Sequence, residues 1–222
     1  MRVQVNSRAM SSSASQSNPL TSKRLYLASQ SPRRLELLRQ VGLEPTVLPL
    51  RTTHERLDVD ETPHPNEPAV DYVQRVARLK AETGAYVQKV RRLPHWPILA
   101  ADTTVTLDGS ILGKPTDRDS ATAMMRRYSG RTHTVLTAVA AIYQGRFDLV
   151  LSESSVTFKT LSNREIAAYL ATREGCDKAG GYGIQGRAAM FIENITGSYS
   201  GVMGLPLYET SELLKKLGFD IL

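Results

Sequence analysis

Leu25-Tyr-Leu-Ala-Ser-Gln-Ser-Pro-Arg-Arg-Leu-Glu-Leu-Leu-Arg-Gln-Val-Gly42 reads as a short strand, a tight turn and a helix. Ser31 is a natural N-cap, Pro32 suits the first helical position, and Gly42 ends the helix as its C′ residue. Leu35, Leu38 and Val41 form the predicted buried stripe. Arg33 and Arg34 then fall in the first turn, where the macrodipole is already positive and free N–H groups point outward. A cation there is unfavourable by roughly 0.3–1 kcal/mol, and two repel each other. The conflict disappears if a polyanion binds at that helix end, because N–H groups, dipole and guanidinium forks all address it. A solvated surface pair is the plainer alternative. The strand-to-capped-helix setting favours a phosphate site.

Downstream, an irregular polar stretch runs from Arg51 to Pro68, with three acids in Asp58-Val-Asp60-Glu61. A helix follows from about Pro68 to Gly84. Its buried stripe is Val73, Val76 and Ala77, and the next position on that face is Lys80. A lysine there either snorkels or reaches inward to an anion. Pro97 to Leu107 is a buried strand interrupted by Asp102, and Asp108-Gly109 is a type I′ signal that returns Ser110–Leu112 antiparallel. A helix from Asp117 to Tyr128 stops at Gly130. Thr132–Tyr143 and Phe147–Phe158 alternate as two strands joined near Gln144-Gly145. Ser162-Asn-Arg-Glu165 is a capping box opening a helix through Leu170. A glycine-rich stretch from Asp177 to Gly186 follows. A strand at Met190–Ile195, a turn at 196–199 and a helix from about Leu207 to Leu217 complete the chain. The order implies mixed α/β architecture with antiparallel pairs.

The 222 residues can bury a real core, as one large domain or two lobes around a cleft. The formal charge of +6 says little about partners, because Arg2, Arg8, Lys23 and Arg24 meet no acid in residues 1–24. The other 198 residues hold 24 basic against 22 acidic side chains, which gives no reason to expect a stable nucleic-acid surface. No apolar run approaches the ~18 residues of a membrane span. The lone Cys176 excludes an internal disulfide and cysteine-based zinc spacings. Residues 1–24 read as a disordered, basic, Ser-rich tail before a single domain at 25–222, with Met10 an alternative start. The expected location is cytoplasmic. An organellar address is the alternative reading of that acid-free tail.

Asp102 is the sharpest chemical candidate. A carboxylate inside Leu-Ala-Ala-Asp-Thr-Thr-Val costs several kcal/mol if buried alone, on the order of magnitude known for such groups. It must meet a cation, a metal or a cleft, or else cap the strand's end. Glu61 and Asp60 form a second acidic cluster. Two carboxylates with oxygen-donor neighbours suit Mg²⁺ or Mn²⁺. Lys114 lies in Gly109-x-x-x-Gly113-Lys-Pro, which has one residue too few for a P-loop and Pro115 where Ser or Thr would hold Mg²⁺. Lys178 stands beside Asp177, where a simple ion pair is the plainer reading. Glycines 180, 181, 183 and 186 are turns or a close approach to a flat ligand, and Gln185 can offer donor and acceptor to a base edge.

Together Ser31-Pro-Arg-Arg-x-Glu-Leu-Leu, Asp60-Glu-Thr, Arg-x-Lys80-Ala, Ala101-Asp-Thr, Gly113-Lys-Pro, Asp177-Lys-Ala-Gly-x-Tyr-Gly-Ile-Gln and Gly204-Leu-Pro-Leu resemble the Maf family of nucleotide pyrophosphatases. The resemblance spans Leu25 to the C-terminus, in the family's order. It implies an elongated α/β fold like that of inosine-triphosphate pyrophosphatases, with a cleft between two lobes. It also implies metal-dependent hydrolysis of nucleoside triphosphates to monophosphate and pyrophosphate, a house-cleaning role. Carried over by position, Asp102 is the general base and, with Glu61, the metal-side acid. Arg33, Thr103 and Gln185 separate substrate branches. Ser31, Arg33, Arg34, Lys80, Lys114 and Lys178 are phosphate-contacting. The form of the glycine-rich motif, with Thr103 after Asp102, is similar to the dTTP and UTP branch. The 7-methyl-GTP branch and a non-catalytic regulator of septum formation are the alternatives, and a homodimer is a family expectation.

Overall fold

The computed structural model describes residues 23–50, 52–53, 56–57, 59–219 and 221. Most of the expected tail lies outside them, and its boundary at 24 falls inside the first strand, β1 (Arg24–Leu27). Helix α1 (Pro32–Gln40) follows, with Ser31 at the N-cap position but making no side-chain capping bond. Gly42, at φ +78°, closes it, as Leu43 N donates to Leu38 O. Its buried face differs from the expected one. Arg34, Leu37 and Leu38 are buried, whereas Leu35 and Val41 are only partly covered.

Strand β2 (Glu44–Val47) pairs in parallel with β1 and forms a sheet edge. Two short strands, β3 (Thr52–Thr53) and β4 (Arg56–Leu57), make a separate antiparallel pair. Helix α2 (Ala69–Val90) runs six residues beyond the expected end at Gly84. Gly84 is not a terminator. A Cβ there would lie 2.9 Å from Ile98 Cγ2 and 3.1 Å from Ala28 Cβ, so the glycine lets α2 lie close on the sheet.

Strand β5 (Ile98–Leu107) pairs in parallel with β1 and antiparallel with its return, β6 (Ser110–Leu112). The intervening Asp108 and Gly109 have φ +55° and +73°, as a type I′ turn requires. Helix α3 (Arg118–Tyr128) opens on a capping box made by Asp117 and Ser120. Long strands β7 (Thr132–Tyr143) and β8 (Arg146–Phe158) form a hairpin through Gln144-Gly145. Helix α4 (Asn163–Ala171) opens on the expected Ser162–Glu165 box. Residues 187–191 form a 3₁₀ turn, so strand β9 (Ile192–Thr196) starts two residues later than expected. The expected turn at 196–199 leads into a short helix, α5 (Tyr199–Met203), and α6 (Leu207–Lys216) closes the chain.

The sheet order is β2-β1-β5-β7-β8-β9, with β6 also on β5. Side-chain alternation on β1 and β5 assigns two cores. Leu25, Leu27, Leu99 and Ala101 face α1 and α6, while Tyr26, Ala28, Ile98 and Ala100 face α2. A third core, with Val105, Met125, Tyr128, Phe158 and Phe191, fills the far end of β5 under α3 and α4. Asp102 to Thr104 lie between these ends.

Candidate active site

One edge of β5 is incomplete. β1 pairs with it only at Ile98 and Leu99, and β6 only from Val105 onward, while β7 covers the other side continuously. Residues 100–104 therefore border a gap in the sheet. A cleft of about 950 Å³ occupies this place, and the candidate base, metal-side, phosphate and specificity residues all line it, while Asp60 does not. The gap lets side chains from both faces of one strand serve one cavity. Asp102 follows Ile98 and Ala100 onto the α2 face, and Thr103 follows Leu99 and Ala101 onto the α1 face.

On the α2 face, Lys80 reaches inward. Its Nζ lies 2.8 Å from Asp102 Oδ1 and 3.0 Å from Glu61 Oε1. Asp102 is 7% exposed, and its partner on β7 is the small Ala138. The buried carboxylate has thus met a cation, which removes the cost of burying it alone. Glu61 is half exposed and is braced by α2. Tyr72 donates to Glu61 O at 3.0 Å, and Arg75 donates to Thr62 O at 3.0 Å while forking onto Glu67 at 2.6 and 2.8 Å. That fork holds the Glu67 carboxyl down at about 2. Asp60 turns away and accepts from Thr62 N. The expected two-acid cluster reduces to Glu61 alone.

On the α1 face the two arginines separate. Arg34 is buried, donating from Nε to Gly204 O at 2.8 Å, from Nη1 to Ser29 Oγ and from Nη2 to Thr103 Oγ1, both at 3.1 Å. Burial lowers its pKa, opposed first by the Asp102 charge. The two arginines of the expected pair are therefore not equivalent. Arg34 commits three of its N–H groups to protein, and Arg33 makes one 3.4 Å contact, to Met203 O. Thr137 donates to Gly201 O, so its single proton is taken and Thr103 must donate to Thr137 across 2.9 Å. The Thr103 hydroxyl is consequently fixed as donor and acceptor within the wall.

The opposite wall is the glycine-rich loop and Lys114. Gly180 and Gly181 have φ near +75°, Gly180 N donates to Gly113 O, and Tyr128 donates to Gly180 O from below. Lys178 keeps its expected ion pair with Asp177 at 2.6 Å and also donates to Glu174 O. The Gln185 amide makes no hydrogen bond among the described residues. The cleft holds five cations against three carboxylates, an excess suited to a polyanion. Among the described residues no three His, Cys, Asp or Glu side chains gather as a ready metal cage.

Ser29, Tyr72, Arg75 and Thr137 escaped the sequence reading. Only Thr137 left a trace there, as a polar break in the apolar run of β7.

A "dTTP/UTP pyrophosphatase" of Aromatoleum aromaticum is 53% identical over 200 residues, covering 89% of this chain and 97% of that protein. A protein of the same name from Dechloromonas aromatica is 52% identical over 88% of this chain and 98% of its own. A "Nucleoside triphosphate pyrophosphatase" of Haemophilus ducreyi is 48% identical over 90% and 98%. Among solved structures, the Staphylococcus aureus Ham1 protein aligns with a TM-score of 0.42 and 13% identity over 61% of this chain and 71% of that one. The family described as "Maf-like protein" matches residues 24–217. With that match covering the sheet, both walls and the gap beside β5, the chain belongs to the Maf family.

Proposed function

We propose that this protein hydrolyses nucleoside triphosphates, dTTP and UTP foremost, to the monophosphate and pyrophosphate. The observation that carries the reading is Asp102, buried at the gap beside β5 with one carboxylate oxygen on Lys80 and a cationic cleft around it. The relatives' names supply the substrate class.

Lys80 orients Asp102 through Oδ1, and Oδ2 takes no hydrogen bond from the described residues. That oxygen accepts the proton of a water attacking the α-phosphorus. The new P–O bond forms as the α–β anhydride bond breaks, and pyrophosphate leaves. Arg33, Lys114 and Lys178 spread the charge of the chain of phosphates, and Ser31 adds a hydroxyl donor at the N-terminus of α1. Arg34 acts chiefly by fixing Thr103 and the Gly204 turn, which shape the wall. Gln185 reads the base edge.

A divalent cation fits the donor set. Glu61 and Asp102 converge on one ammonium, and Mg²⁺ typically takes one or two carboxylates and completes its shell with water and substrate phosphate. Those two residues would hold it, and it would supply further neutralisation of phosphate charge. A cytoplasmic location, where such nucleotides are abundant, belongs to the same reading.

A panel of ribo- and deoxyribonucleoside triphosphates, assayed for pyrophosphate with Mg²⁺, with Mn²⁺ and with chelator, is the test. Metal-dependent pyrophosphate release, greatest for dTTP and UTP, is expected. Orthophosphate as the product, or no turnover of any nucleotide, would overturn the proposal.

A further inference from the structure

Glu174 lies just after α4, outside the cleft lining, yet it ties together both ends of the loop that forms one wall. Its carbonyl accepts from Lys178 Nζ at 2.6 Å, and its Oε2 accepts from Arg187 N at 2.9 Å. Its own N–H donates to Thr172 Oγ1, which anchors it to the end of α4. Between the two ties sits Gln185.

Gly186 shows how tightly the carboxylate is fitted. Its φ of −107° is one that any residue adopts. A Cβ at this position would nevertheless overlap the Glu174 carboxylate group. It is the carboxylate, and not the backbone, that an added methyl group would have to displace. The other oxygen, Oε1, is buried with no hydrogen-bond partner. A buried carboxylate oxygen without a donor is costly for stability, and a neutral acceptor would tie Arg187 N as well. The arrangement favours placement over economy.

We infer that Glu174 is a positioning residue that latches the closing end of the glycine-rich loop, so that the Gln185 amide faces the nucleobase. This rests on the proposed role of Gln185. The latch acts on base selection and leaves the grip on phosphates alone.

The test compares Glu174→Gln, which keeps an acceptor oxygen, with Glu174→Met, which keeps the length and loses it. Gly186→Ala, which displaces the carboxylate from the other side, and Gln185→Ala complete the set. KM and kcat are measured for dTTP, UTP and GTP, with inhibition by inorganic pyrophosphate as the phosphate-end control. Losing one hydrogen bond corresponds to about a five- to tenfold effect. Glu174→Met and Gly186→Ala should each raise KM for dTTP and UTP by about that factor, relative to GTP. Changes in kcat should stay within about twofold, pyrophosphate inhibition should not move, and Glu174→Gln should behave as wild type.

A Glu174→Met enzyme with wild-type base preference, equal losses for all nucleotides, or a Gln variant as impaired as the Met variant would overturn the latch. If Glu174→Met does not fold, Gly186→Ala decides by the same criteria. Unchanged preference in Gln185→Ala would sink the reading of Gln185 and this inference with it. A change in Gln185→Ala with none in the other variants sinks the latch alone.

Discussion

Two polar pairs, one beside the middle of β5 and one at the far end of the sheet, meet the cleft in different ways. Lys80 and Asp102 meet beside the gap in β5, with Glu61 completing the cluster and the cleft adjoining it. His133 and Tyr182 meet 2.7 Å apart in the far core. The imidazole is ringed there by Tyr128, Phe158 and Tyr182, at centroid distances of 4.3, 5.3 and 5.4 Å. Its Nδ1 has no partner. Asp102, His133 and Tyr182 are buried and Lys80 is partly so, and burial by itself does not explain the difference. What separates them is the neighbouring backbone. A missing strand opens the first pair to the cleft, whereas in the second only Tyr182 borders it and the imidazole stays within the aromatic core. The first pair should therefore register in rates and the second in stability.

The largest effect is expected from Asp102→Asn. General-base catalysis is typically worth ~10²–10⁴-fold, so pyrophosphate release should fall by that factor while calorimetry still detects nucleotide binding. Near-normal turnover would place the base elsewhere and dissolve the contrast.

The second effect concerns acid stability. Burial lowers the His133 pKa to about 4 from 6.5, so between these values the unfolded chain binds the extra proton and stability rises with pH. The contribution is complete above 6.5 and is lost as pH falls toward about 4. Its size is on the order of 3 kcal/mol. Urea titrations should show this slope in the wild type and a much flatter one in His133→Gln. An identical slope in both would refute the assignment.

Tyr182→Phe should be milder. It leaves the imidazole without its remaining partner, at about 1–2 kcal/mol of unfolding free energy, with kcat within about twofold. A rate loss far beyond the stability loss would show that Tyr182, which also lines the cleft, acts there directly. Smallest is Arg75→Met, which frees the 60–67 segment without touching Glu61 itself. The Mg²⁺ or Mn²⁺ concentration for half-maximal activity should rise about threefold to tenfold, the scale of one lost hydrogen bond. An unchanged metal requirement would mean the brace has no bearing on Glu61.

Local signals carried much of this molecule. Asp108-Gly109, Gln144-Gly145 and the Ser162–Glu165 box encode their conformations within four residues, and all three have the expected form. Asp102 was legible because a charge inside an apolar strand demands a partner. What local sequence does not carry depends on residues far along the chain. The anchoring of Arg34 is invisible locally because its acceptor, Gly204 O, lies 170 residues away. Gly84 resembled a helix stop because its reason is the approach of Ile98 and Ala28, neither of them near it in sequence. Ser198 capping Gly201 N, which starts α5, was hidden in what read as a simple turn.

Gly84 stands one helical turn beyond Lys80, on the same side of α2. A hydrogen atom at position 84 thus sets how low the helix rides, and the ammonium inherits that height. Any larger residue would act as a shim under a lever, detuning the reaction centre while leaving each of its members chemically intact.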